Sequence, residues 1–582
     1  MHTTNVAIVV RPLIALCRSC THAVALAFIV SATLLLGQVF GQTKPTEKGE
    51  KPEKLDKTKA EQPLELPEFV ITGVESLDVP GGSKQTPQPM PKLTSEQLRR
   101  LNPLDKQSFT LLPVPPINRL LLRQQEKDGF VQGEFGMFLT PSLKAGYRAV
   151  WGNFDLNGIA ACTVSGGHRR NADFTDARAE IASTYLAPEK FFFFGGSRTE
   201  TYFQAHYRNF KFFGADSLAF PETAPQRSAM VLAAGVSTVG DFEHWQYDIG
   251  ASAESALLNG DHENTLFNGH LAAKTALNTN FSLGGKINVQ LQSALNRPFA
   301  EVYDITSRFL VGYRAPLFLL SAELGVDIAA AASVVGGGPI RPSARLQASF
   351  AASDVLTFDF TGTSGIRPNS FVRAFRLNPY TIGSVPTAYR FETAQFDMVA
   401  SVRVHPSQYL GFVAGVGIEN LDNAMVFDQV AQSIGTGEFL PLNVQTNTAR
   451  LFAEADIHIT HQDHLTARLN ACFGELTRIS SNTQAPIPYL SPFEGKLQYR
   501  RQWLPQLSSQ LECAYFAARP IGLSGNAALP AYFDLRLSAE YQLTSNISIF
   551  ARGTNLLNQE IVLWQGYQER GIFIAAGFVI TF

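Results

Sequence analysis

The chain has 582 residues, 45% of them apolar and only 17% charged, and its 48 basic residues nearly balance 50 acidic ones. That balance provides no basic field for nucleic acid. No run of about 18 or more apolar residues follows the N-terminal region, which argues against membrane-spanning helices but not against apolar surface spread over alternate residues.

In chain order, Arg11 and Arg18 precede an apolar stretch from Ala23 to Leu36, and Val39-Phe40-Gly41 suits cleavage before Gln42. Residues 1–41 therefore read as an export signal. Cys17 and Cys20 fall inside it. Cys162, Cys472 and Cys513 remain, an odd set without paired spacing that predicts neither a disulfide framework nor a metal cluster. Residues 42–65, rich in Lys, Glu, Pro and Thr, read as a disordered tether, because such a composition buries too little apolar surface to offset its ordering entropy. A short β-prone island follows at 66–73. Over 74–127, Thr94-Ser95-Glu96-Gln97 fits a capping box for a brief helix ending near Leu101, Leu112 to Pro116 is proline-rich, and Ile117 to Arg123 suits a helical turn. Nothing before about Asp128 has the pattern of an independently folding unit.

From 128 to 582 the texture changes to segments of roughly ten residues with alternating apolarity. Phe533, Leu535, Leu537, Ala539, Tyr541 and Leu543 share one face of a strand, and Asp534, Arg536, Ser538, Glu540 and Gln542 share the other. The last strand repeats the pattern, with Ile572, Ile574, Ala576, Phe578, Ile580 and Phe582 on its apolar face. Tight turns are expected at Gly152-Asn153, Ala187-Pro188-Glu189, Gly240-Asp241, Asn278-Thr279-Asn280, Ala315-Pro316, Ser353-Asp354, His405-Pro406-Ser407, His461-Gln462-Asp463, Leu504-Pro505 and Thr544-Ser545-Asn546. Between them lie generally longer connections, such as Arg367 to Thr387 and Asp422 to Pro441. Short turns on one side and long loops on the other are what a membrane barrel needs. Trp151, Phe154, Phe242, Trp245, Phe281, Tyr409 and Trp503 cluster beside the short turns, as an interfacial girdle would. The expected fold is all-β: a transmembrane antiparallel up-and-down β-barrel of about 22 strands. A terminal strand that ends on the aromatic Phe582 resembles the closing strand of bacterial outer-membrane barrels, which implies contact with outer-membrane lipid in a diderm bacterium.

The ending Asn546-Ile547-Ser548-Ile549-Phe550-Ala551-Arg552-Gly553-Thr554-Asn555-Leu556-Leu557-Asn558-Gln559-Glu560, then Gly566 to Gly571 and the strand to Phe582, resembles the C-terminus of TonB-dependent outer-membrane receptors. The resemblance is close over about fifty residues; earlier it rests on strand number and spacing. It implies that Phe582, Ile580 and Phe578 form a signal read by the barrel assembly machinery. It also implies that Glu68, Phe69, Val70, Ile71, Thr72 and Gly73 stand where a TonB box would, pairing by strand addition with a TonB-like periplasmic energy-coupling protein. The implied function is energised uptake of an unknown solute too large for porins. One departure stands out: residues 74–127 are too few for the globular plug of that family, and form only a short periplasmic or lumenal segment. A plugless passive pore, or a structural scaffold that docks partner proteins, is the alternative.

Among candidate sites, Arg367, Arg373, Arg376 and Arg390, with Phe371, Phe375 and Tyr380, mark a loop suited to an anionic or aromatic solute; surface lipid phosphates would compete for those arginines. His458, His461 and His464 are three apart, so a strand would point them to opposite faces, and they read as solvated turn histidines with no metal assigned. Arg500 or Arg501, Arg536 and Arg552 are expected in the polar lining of the lumen. Phe191 to Phe194 are expected at a membrane interface, alternate rings facing the lumen. No nucleophile elbow, phosphate loop, zinc-protease motif or calcium loop is visible, so neither an enzyme nor a cofactor is expected.

Overall fold

A strand with one apolar face must bury or immerse that face, and a sheet must dispose of its edges. This chain does both by closing into a ring of 22 antiparallel strands. The first, Gly129–Gly136, pairs with the last, Phe573–Thr581, setting Phe130 opposite Thr581 and Gly136 opposite Ala575. Gly129 and Phe582 exchange backbone hydrogen bonds of 2.9 and 3.0 Å, so the final residue seals the seam. The computed structural model describes residues 128–191, 194–215, 223–293, 302–331, 340–383, 391–429, 435–477, 484–523 and 527–582. The export-signal, tether, TonB-box-like and 74–127 segments lie outside them, as does Arg390.

The period-two reading is met residue by residue. In the last strand Ile574, Phe578 and Ile580 face out and are exposed, while Phe573, Ala575 and Thr581 are buried. In the strand Tyr532–Gln542, Phe533, Leu537 and Tyr541 are exposed and Asp534 is buried. Such an exterior would aggregate in water and is the lipid-facing surface of a membrane barrel. Among the described residues no helix is long and apolar enough to cross a membrane; the crossing is by strands, and the protein resides in the outer membrane. Trp151, Phe242, Trp245, Phe281, Tyr409 and Trp503 stand exposed beside the short turns, and half-buried Phe154 packs on Tyr185 at 4.4 Å.

Three turn positions differ from the sequence reading. The strand Gln226–Phe242 runs past Gly240-Asp241, because Phe242 pairs with Trp245 and the chain reverses at Glu243-His244, with Glu243 in the left-handed region at φ 54°. The strand Phe391–Ser407 likewise continues through Pro406, which a register irregularity between Val404 and Ser407 accommodates. Phe191 and Phe194 lie not in a strand but in the connection 187–197. There the Phe191 N–H donates to Pro188 O and the Phe194 N–H to Phe191 O, both at 3.0 Å, so each of these two residues closes a short turn, while Phe192 and Phe193 lie outside the described residues.

A tilted strand needs about 9–11 residues to cross the bilayer. Leu410–Asp428 and Leu440–His458 each have 19 and extend beyond it on the long-loop side. Their outer ends carry Val426, Phe427 and Val444, all buried against the loops.

Candidate functional site

The long loops do not stand away from the barrel. Phe212 and Phe213 follow the strand Arg198–Lys211, and Tyr380 follows a short helix, α1 (Phe371–Leu377). Phe439 precedes Leu440–His458, Tyr489 precedes Phe493–Leu504, and Trp564 and Tyr567 belong to the last loop before Phe573–Thr581. These stations are spread around the circumference of a closed ring. Side chains from them can meet only by crossing its mouth, and they do meet.

Tyr567 is at the centre. Its ring stacks on Tyr380 at 3.5 Å, meets Phe213 edge-on at 4.9 Å and lies 6.2 Å from Phe439. Its hydroxyl donates to Gly437 O at 2.7 Å. Trp564 extends the layer to Tyr489 at 4.4 Å and to Phe439 at 5.3 Å. The backbone ties two loops directly: the Phe439 N–H donates to Tyr380 O at 2.9 Å, and the Ile382 N–H to Phe439 O at 2.8 Å. Such close packing requires small neighbours. A Cβ on Gly214 would lie 2.7 Å from the Tyr567 ring, and Gly437, at φ 76°, occupies a conformation disfavoured for other residues. With Phe210, Phe371, Val372 and Phe375 the group forms a core of its own on the loop side. Burial raises the Tyr380, Tyr489 and Tyr567 hydroxyls above the usual tyrosine range, so all three stay neutral.

A charged collar anchors this cap. Ser370 caps α1, its hydroxyl oxygen accepting from the Arg373 N–H at 3.1 Å. Arg367 pairs with Asp397 at 2.6 Å and Glu419 at 3.2 Å, and lies 3.8 Å from Glu392. Arg373 pairs with Glu392 at 3.2 Å and donates to Asn369 Oδ1 at 2.6 Å. Arg376 reaches Glu254 on the strand Trp245–Leu258. Arg227, stacked 4.6 Å over Phe212, bonds Glu438 and Thr381 O at 2.5 Å each. Between α1 and the wall lies a polar cavity of about 480 Å3, lined by Glu180, Gln204, Ser252, Glu254, Asn268 and Arg376. The expected ligand-loop arginines that are described thus come together at the mouth, each on a wall carboxylate.

The other expected residues are placed as follows. Arg500 faces the lumen, on the same face as His464 opposite it, whereas Arg501 stacks at 4.3 Å over the exposed Trp503 on the outer face. Arg536 pairs with Asp534 and Arg552 with Glu134, both at 2.6 Å. The Asn-Leu-Leu-Asn turn has a physical basis, since Asn555 and Asn558 both adopt left-handed conformations, at φ 48° and 51°. Asn555 Nδ2 donates to Gln559 O at 2.8 Å and Arg570 O at 3.0 Å, while its Oδ1 accepts from the Gln559 N–H at 2.9 Å. That turn delivers Trp564 and Tyr567 to the mouth. Sequence reading missed Tyr567, Trp564 and Phe439, although aromatics inside long polar connections were a signal available for them.

Two titratable groups sit where loops meet. His168 Nε2–H donates to Gln568 O at 2.9 Å, and burial, with Arg169 and Arg570 nearby, holds the imidazole below its ordinary range. Burial pushes the Glu569 carboxyl up, against the pull of Arg570 and Arg208.

No known family profile matches the sequence, and no curated protein matches it. Solved structures do. The FrpB iron transporter from Neisseria meningitidis matches with a TM-score of 0.59 at 8% identity, over 80% of this chain and 83% of that one. The siderophore receptor PiuA from Acinetobacter baumannii gives 0.57 at 11%, over 78% and 82%. The ferric-catecholate import receptor Fiu from E. coli K12 gives 0.55 at 10%, over 78% and 82%. At such identities the likeness is one of fold, and it matches what the ending of the chain implied: this protein has the 22-stranded barrel of the TonB-dependent outer-membrane receptors.

Proposed function

We propose that this barrel is an uptake receptor for a solute too large for porins, energised through Glu68–Gly73 by a TonB-like periplasmic coupling protein. The observation that carries the reading is the aromatic cap. A passive pore needs an open mouth, whereas a mouth closed by packed loops suits a gate that a bound solute and an energy source open. The structural neighbours are named for iron, siderophore and ferric-catecholate import. The solute class that fits is an anionic aromatic chelate. Its rings would replace the stacking of Tyr380 on Tyr567, and Arg367, Arg373 and Arg376 would leave their wall carboxylates to meet its charge together with Arg390. Phe582, Ile580 and Phe578 serve as the assembly signal in this reading.

Two measurements test it. Cells carrying the chain without residues 66–73 should lose accumulation of a radiolabelled ferric-catecholate, and the shortened protein should lose capture of the coupling protein. Unchanged uptake with unchanged capture defeats the coupled reading. In planar bilayers the purified protein should pass little current; a large steady conductance would favour the passive pore instead.

A further inference from the structure

We infer that Asp456, His458 and His464 form a binding site for a divalent first-row transition ion on the short-turn rim of the lumen. The inference does not depend on what the barrel imports. The hairpin register creates the site. His458 stands directly opposite His464, and Asp456 is two residues before His458 on the same strand face. Leu451 and Leu469, of opposite parity on these two strands, are exposed to lipid, so the three polar side chains face the lumen. The four-residue turn between the strands thus gathers two of the three spaced histidines. It adds a carboxylate that the His-x-x-His-x-x-His spacing does not contain.

The donor geometry is compact. Asp456 Oδ1 lies 2.8 Å from His464 Nε2 and 3.5 Å from His458 Nδ1, and the imidazole rings stack with centroids 4.3 Å apart and planes within 19°. One ligand atom from each of the three residues falls within 4.8 Å of the others. Ligand atoms about 2.0–2.2 Å from a shared zinc ion stand roughly 3–4 Å apart, so only small side-chain rotations separate this arrangement from a coordinated one. Two imidazoles converging on a single carboxylate oxygen are a donor set in which a cation can take the place of the proton shared by His464 and Asp456.

The neighbours define the site's limits. Asp463 is held by Tyr499 at 2.5 Å, Thr460 at 2.7 Å and Arg501 at 3.6 Å, and the His461 ring packs on Tyr409 at 5.9 Å. Both are engaged elsewhere. Arg500, across from His464, directs a guanidinium nitrogen to Gln510 at 3.2 Å. Three protein ligands, half of His458 and nearly half of Asp456 being open to solvent, leave coordination positions for water. Two imidazoles and one carboxylate select Zn2+, Co2+, Ni2+ or Cu2+ over Ca2+ and Mg2+, which prefer oxygen alone.

The test uses the full-length, untagged protein in detergent, stripped with chelator and titrated with Zn2+ and separately with Co2+, whose visible spectrum reports imidazole ligation. Wild type should bind one equivalent. His458→Ala and His464→Ala should each weaken binding by about tenfold or more, and the double variant should abolish both binding and the Co2+ spectrum. His461→Ala should stay within about twofold of wild type. Heat-modifiable gel migration verifies that each variant forms a closed barrel. Absence of stoichiometric binding by wild type overturns the inference, as does full retention by the folded double variant or a loss in His461→Ala equal to that in His464→Ala. If the histidine variants misfold, Asp456→Asn is the deciding variant: weakened Co2+ affinity supports the site, and unchanged affinity overturns it.

Discussion

Truncation of Tyr567 should open the cap without unfolding the barrel. The ring is 2% exposed and touches aromatics from three other loops. Replacing a buried aromatic by alanine costs about 3–5 kcal/mol. Of this, roughly 0.5–1.5 kcal/mol belongs to each aromatic pairing, and the hydroxyl bond to Gly437 adds about 1 kcal/mol. None of these contacts belongs to the strand ladders, so the loss falls on local opening of the cap. At about 1.4 kcal/mol per tenfold, Tyr567→Ala should raise the open population by roughly 100- to 4000-fold, and Tyr567→Phe by about fivefold. Amide hydrogen exchange reads this directly at Ile382 and Phe439, whose N–H groups bridge the loops. Val416, in the middle of the strand Leu410–Asp428, serves as the barrel reference. Protection at Ile382 and Phe439 that falls by less than tenfold would refute the reasoning. So would an equal fall at Val416, because cap and barrel would then be one cooperative unit.

Other outcomes follow from the same geometry. Asn555→Ala loses a left-handed conformation and three hydrogen bonds and should cost roughly 2–4 kcal/mol in the last loop; Asn555→Gly should recover about 1 kcal/mol of it, and protease cleavage rates at 556–570 would show whether that order holds. Arg367→Ala strips three carboxylates of their shared cation, so protection of α1 should fall by about 3–5 kcal/mol; a change below about 1 kcal/mol would mean solvent already screens the pairs. His168 has a lowered folded pKa, so the native state binds fewer protons than the unfolded one. Its contribution is full above the ordinary histidine value, about 6.5, and is lost as pH falls through the folded value. Glu569, raised by burial, has the opposite sign, its contribution being lost as pH rises. Comparing wild type with His168→Gln isolates the histidine: between pH 7.5 and 5, protection factors at 562–568, corrected for the intrinsic exchange rate at each pH, should fall more in wild type, and equal slopes would exclude the role.

Much of the barrel was legible because its determinants are local. Period-two apolarity from Phe533 to Leu543, and again at Phe582, needs no knowledge of a partner strand. Turn length likewise sorts the connections to two sides whatever their contents. Local signals also misled, as at Gly240-Asp241 and at Phe191, where side-chain pairing across a turn and successive short turns decided the path. The cap was not legible, because Phe213, Tyr380, Phe439 and Tyr567 lie as far apart in sequence as they are close in space. Nothing in a one-dimensional pattern tells which loops cross a mouth. Arg367 reads as a free cation in the sequence and becomes the centre of three carboxylates only when strands close around it. The histidines show the same division. Their spacing argued against a shared face, and the register of one hairpin brought His458, His464 and Asp456 together. What the sequence by itself determined was the ring, the side on which its loops lie, and an ending that resembles that of receptors sharing its fold. The tertiary structure alone decided which loops meet across the mouth and which charges pair there, because those contacts depend on the circumference of the closed ring.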